Sequence, residues 1–108
     1  MSEELEAQFE IEMRRIYDRA KAELGYKPTA FLQMVEDHTG VGAARRLLDR
    51  PVSDISEGFT RLFSEHRLDL SVEAVALQPT WQSLFTPEQL TTARRRLKGS
   101  GYEPPGPA

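Results

Sequence analysis

Leu5, Phe9, Met13, Ile16, Ala20 and Leu24 recur at steps of three or four and draw one apolar stripe along the start of the chain. That spacing matches the turn of an α-helix and no strand, so Glu3 to Leu24 reads as one long amphipathic helix. Its polar face supports the same reading. Glu10 with Arg14, Arg14 with Asp18, and Arg19 with Glu23 stand at i,i+4, and Glu3 and Glu4 lie where the helix dipole favours acids. At roughly 22 residues, or about 33 Å, the helix is long for a domain of this size and could offer a seam to a partner or a second copy. Gly25 supplies its stop.

The same period continues in shorter segments. Pro28 suits the first turn of a second helix, Pro28 to His38, with Phe31, Leu32, Met34 and Val35 on its buried side; Thr39-Gly40 breaks it. A third, Val41 to Asp49, packs through Val41, Ala44, Leu47 and Leu48, and Pro51 prevents its continuation. Asp54 and Glu57 have capping-box spacing, with Ser53 an alternative cap, so a fourth helix is expected from Ile55 to His66, burying Ile55, Phe59, Leu62 and Phe63. Leu68-Asp69-Leu70 alternates like a strand but is too short for a sheet and reads as a connector inserting two leucines. Ser71 caps a fifth helix through Leu77, and Pro79 opens a turn that carries Trp81, Leu84 and Phe85. The clearest local signal is Thr86-Pro87-Glu88-Gln89: an N-cap threonine, proline at N1 and glutamine at N3 of a capping box. A last helix starts there and runs through Leu90, Ala93 and Leu97.

These segments imply an all-α fold, a compact orthogonal bundle of five to six helices with a long N-terminal helix. Residues 1–98 form the single domain, and the Gly/Pro-rich residues 99–108 read as a disordered tail. With 39% apolar residues the chain can close one core without staples. It has no cysteine, which excludes disulfides, thiolate metal sites and a cysteine nucleophile and fits a reducing cytoplasm. The start of the chain is acidic where a signal peptide would be basic, and no apolar run reaches the roughly 20 residues of a membrane span, so the expectation is a cytoplasmic protein with no membrane contact. The net charge of −3 is uneven: residues 1–40 carry nine acids against five bases, residues 41–108 eight against nine. No overall basic excess marks a protein that holds nucleic acid chiefly through phosphates.

Few residues suggest chemistry. His38 and His66 are the only histidines, each near acids, but the spacing of metal-binding helices such as H-E-x-x-H is absent and both sit where a helix end favours histidine. Glu73 stands alone among Leu70, Val72, Ala74, Val75, Ala76 and Leu77; buried, it could serve as a general acid, whereas in the first turn after Ser71 it reads more simply as a solvated acid. No nucleophile elbow, P-loop or dinucleotide fingerprint occurs. The Gly40-Val41-Gly42 turn invites comparison with a helix-hairpin-helix, whose amides would face a phosphate while Arg45, Arg46 and Arg50 add cations. Glu36 and Asp37 would crowd that phosphate, so a plain interhelical turn is the simpler reading. Arg94, Arg95, Arg96 and Lys98 would complete any basic patch, and otherwise form a solvated helix end.

From Tyr26 to Leu97 the chain resembles a widespread family of short uncharacterised bacterial proteins. The resemblance rests on Phe31-Leu32-Gln33-Met34, Ala43-Ala44-Arg45-Arg46-Leu47-Leu48, Gly58-Phe59-Thr60-Arg61-Leu62, Arg67-Leu68-Asp69-Leu70-Ser71-Val72-Glu73-Ala74 and Leu84-Phe85-Thr86-Pro87-Glu88. It implies a compact helical module and brings no catalytic residues.

The expectation from the sequence is therefore a non-catalytic helical interaction module without cofactor or metal, binding a protein partner or self-associating through the first helix. The alternative is a nucleic-acid-associated accessory domain using Arg45, Arg46, Arg50, Arg94, Arg95 and Arg96.

Overall fold

A computed structural model describes residues 2–103 and is built on helices alone among those residues. Five α-helices follow in order: α1 (Ser2–Leu24), α2 (Thr29–Leu48), α3 (Glu57–Ser64), α4 (Val72–Ala76) and α5 (Pro87–Gly99), with 3-10 turns at Leu68–Leu70 and Gln82–Leu84. The described chain is compact, with extents of 36 × 29 × 23 Å.

The helix at the centre is the shortest. Ser71 to Leu77 are buried without interruption, so α4 has no solvent face, as expected of a helix apolar all round. The Ser71 hydroxyl accepts from the Ala74 amide at 3.1 Å and donates to the Leu68 carbonyl at 2.7 Å, tying the cap to the preceding turn. Leu68 and Leu70 are both buried, as the connector reading requires. Around α4, α1 lies along α2. Its stripe enters the core at Phe9, Met13, Ile16 and Ala20, while Leu5 and Leu24 pack at either end. Phe9 meets Trp81 and Phe85 edge-on, with ring centroids 5.4 and 5.5 Å apart, so the segment after Pro79 closes over α1. The capping box at Thr86 forms as its sequence dictates. The Thr86 hydroxyl accepts from the Gln89 amide at 3.1 Å, and the Gln89 side chain accepts from the Thr86 amide at 2.9 Å. Gln89 also donates to Asp49 at 2.8 Å and so joins the start of α5 to the end of α2.

Four details depart from the sequence reading. The second and third helices run together as α2, with a kink at Thr39, where φ 68° and ψ 167° are non-helical. The α3 cap is Ser56, which accepts from the Phe59 amide at 3.0 Å; neither Asp54 nor Ser53 takes that role. With only eight residues, α3 buries Phe59 and Leu62, leaving Ile55 39% and Phe63 49% exposed rather than in the core. Lastly, α5 extends to Gly99, and Gly101 in the left-handed region lets the Tyr102 amide return to the Leu97 carbonyl at 3.0 Å. Tyr102, read from sequence as tail, packs against the core. Residues 104–108 lie outside the described residues.

Candidate binding cleft and the buried Arg96–Glu73 pair

Because α4 lies wholly inside the molecule, its first turn is in the core, and an acid there cannot be solvated. Glu73 is 4% exposed, which corrects its reading as a surface acid of the first turn. Its partner is Arg96, 3% exposed, whose Nη1 lies 2.8 Å from Glu73 Oε2. Arg96 therefore does not belong to a solvated helix end. Its five N–H groups are all placed: Nε donates to the Val52 carbonyl, Nη1 to Leu47 and Glu73, and Nη2 to Arg50 and Pro51. Leu47 supplies one of the carbonyls a helix end leaves unpaired, so one guanidinium closes α2, holds the following loop and neutralises Glu73. Two sequence features pointed this way: an acid inside an apolar run, and an arginine three residues after Ala93 on the buried side of α5.

Next to this pair the surface opens. A cleft of about 390 Å³ separates the end of α1, the first half of α2, α3 and the start of α4. Ile16, Phe31, Met34, Leu47, Phe59 and Leu62 give it apolar walls, and Glu73 lines it. Tyr26, Lys27, Arg50 and Glu57 add polar groups. Burial raises the Tyr26 pKa above the ordinary tyrosine value, the Glu57 charge adds to that rise, and Arg61 opposes it. The Arg61 guanidinium lies 4.8 Å from the centre of the Tyr26 ring.

The structure separates the remaining candidates. Arg45 spends Nε and Nη2 on the Leu84 carbonyl, at 3.0 and 2.8 Å, joining α2 to the Gln82–Leu84 turn. Arg46, Arg50 and Arg95 are exposed and Arg94 is half-buried. At the Gly40 turn, the Gly40 amide donates to the Glu10 carboxylate of α1, and the Gly42 amide donates to the Thr39 hydroxyl at 3.1 Å. An anion does sit at this helix start, and it is the protein's own. A Cβ on Gly40 would come within 2.9 Å of the Glu10 Cα, so the glycine serves the close approach of α1 to α2.

His38 and His66 are both exposed. His66 occupies the left-handed region with φ 59° at the end of α3, where its amide donates to the Phe63 carbonyl and that of Arg67 to Leu62. Among the described residues no group of three or more histidine, cysteine, aspartate or glutamate side chains could hold a metal ion. No helix there is long and apolar enough to cross a membrane. No protein-family model, curated protein or solved structure matches the chain.

Proposed function

We propose that the protein is a non-catalytic helical interaction module that docks a protein partner in the cleft between α1, α2 and α3. The supporting observation is the cleft itself: about 390 Å³ between helices, walled by apolar side chains and left unfilled by the described residues. Groove and partner of this kind use the same packing that holds the bundle together. The other surface suggested by the sequence, the stripe of α1, is less suited because the stripe covers this chain's own core. On the outer side of α1, Ile11 is the one large apolar side chain exposed, among Arg14–Glu10, Arg15–Glu12 and Arg19–Glu23 ion pairs. Self-association through α1 would have to rest on that isolated residue.

A nucleic-acid accessory role is the second reading. It would draw on Arg46, Arg50, Arg94 and Arg95, since Arg45 and Arg96 already serve carbonyls inside the fold.

Ala30 is an exposed residue on the rim of the cleft, so Ala30→Trp would block the opening from outside without disturbing the core. The test is capture from a lysate of the source organism, with and without nuclease treatment, by the wild-type protein and by Ala30→Trp. A partner bound by the wild type and lost by the variant is the expected result. A partner held equally by both would remove the cleft from the proposal, and recovery that disappears with nuclease would favour the arginines.

A further inference from the structure

Glu73 gives the cleft a specific chemical preference. One of its oxygens, Oε2, receives the Arg96 bond; the other, Oε1, receives no hydrogen bond from any described residue. Among the described residues no side-chain nitrogen or oxygen sealed from solvent lacks a partner, so Oε1 keeps an opening. Glu73 is 4% exposed and lines the cleft, so the cleft is the open space beside that oxygen. A carboxylate oxygen in this position accepts a hydrogen bond and cannot donate one. Since Arg96 already neutralises the charge, a second cation would pay desolvation with no net charge to meet. The complement is an apolar group bearing one neutral N–H. An indole has that combination: a large flat apolar body and a single nitrogen that only donates.

Resting on the reading of the cleft as a docking site, we infer that its occupant is an amphipathic helix of a partner protein that inserts one tryptophan, with its indole N–H on Glu73 Oε1. The cleft runs between the first half of α2 and α3, a space between helices that suits a third. Its rim carries Lys27 and Arg50 against the single Glu57, so the helix that fits bears acids beside the tryptophan.

The experiment titrates the full-length ¹⁵N-labelled protein with indole and with benzothiophene, which has nearly the same shape and no N–H. Two synthetic amphipathic peptides follow, each with one central tryptophan and flanked by glutamates or by lysines. Saturable shifts of the Gly58, Val72 and Glu73 amides are expected with indole, with affinity at least about tenfold above benzothiophene. The glutamate peptide binds more tightly than indole and than the lysine peptide, and Ala30→Trp abolishes every shift. Equal binding of indole and benzothiophene would overturn recognition through Glu73. Indole binding that neither peptide improves would assign the cleft to a small aromatic molecule and overturn the helix. Absence of shifts with every probe would refute the tryptophan anchor, while the capture experiment with Ala30→Trp would still decide separately whether the cleft docks a protein.

Discussion

Arg96 is the side chain on which the most backbone depends. A buried ion pair can often be replaced by apolar residues without loss, because desolvation offsets attraction. Here four of the five guanidinium bonds go to main-chain carbonyls of residues 47 and 50 to 52, which no apolar replacement can satisfy. Arg96→Met is expected to cost about 3–5 kcal/mol in chemical denaturation, since it strands the Glu73 carboxylate as well. Arg96→Lys keeps the charge but carries its donors on one nitrogen, and is expected to cost about 2–3 kcal/mol. A lysine variant as stable as the wild type would show that the carbonyl bonds contribute little. His66 makes the opposite kind of prediction. With φ 59° it pays for a left-handed conformation that glycine adopts freely, so His66→Gly should stabilise by about 1 kcal/mol. An unchanged or lowered unfolding midpoint would mean that the imidazole makes up the difference. The sequence hinted that Glu73 and Arg96 were buried, but neither their pairing nor the conformation of His66 was legible in it. Glu73 and Arg96 are 23 residues apart and pair through the fold, and nothing local to His66 announces a positive φ.

At the scale of elements, local signals with a complete physical mechanism carried over. The α1 stripe, the Ser71 cap and the Thr86 box each satisfy their own donors or bury their own face, so they needed no tertiary information. The α3 start shifted because Ser56, two residues beyond the expected Asp54, is the side chain that accepts the first-turn Phe59 amide. The α2 kink was legible as a break at Thr39-Gly40; the reason α1 passes so close there was not. Two glycines test that account against each other. Gly40→Ala would press a methyl group onto the α1 backbone at Glu10 and onto Met13, at 2.9 and 3.1 Å, and is expected to cost about 1–3 kcal/mol. Gly58→Ala would meet nothing nearer than the Tyr26 hydroxyl at 3.8 Å and should stabilise α3 by about 0.5–1 kcal/mol. Thermal unfolding of both variants checks the pair, and a neutral Gly40→Ala would show that α1 can withdraw from α2 without loss.

For the whole molecule, the bundle was legible because helical periods and caps repeat along the chain, whereas the cleft is a product of how α1, α2, α3 and α4 meet and leaves no local trace. Ionisable groups in and away from the cleft bear on stability at both ends of the pH scale. Glu23 is held below the ordinary glutamate value of 4.5 by its hydrogen bond from Arg19 first and that from Arg67 second. A carboxyl with a lowered folded value stabilises the fold above its unfolded value, and that contribution fades as pH falls through the folded one. Tyr26 and Tyr102 are both raised above 10.0, chiefly by burial, aided by Glu57 for the first and Asp69 for the second. Their contribution has the opposite sense: complete below pH 10.0, it is lost as pH rises through the folded values, because ionised phenol is tolerated better in the unfolded chain. Stability measured by denaturant titration should therefore fall on both sides of a neutral plateau. Glu23→Gln is expected to be less stable than the wild type at neutral pH and to converge with it in acid. Tyr26→Phe should match the wild type near neutrality and resist alkali better, because it removes a phenol that must ionise beside Glu57 at the mouth of the cleft. An alkaline limb unchanged in Tyr26→Phe would place the loss elsewhere, and Tyr102→Phe, measured in the same series, would show whether the C-terminal closure over Leu97 is its source.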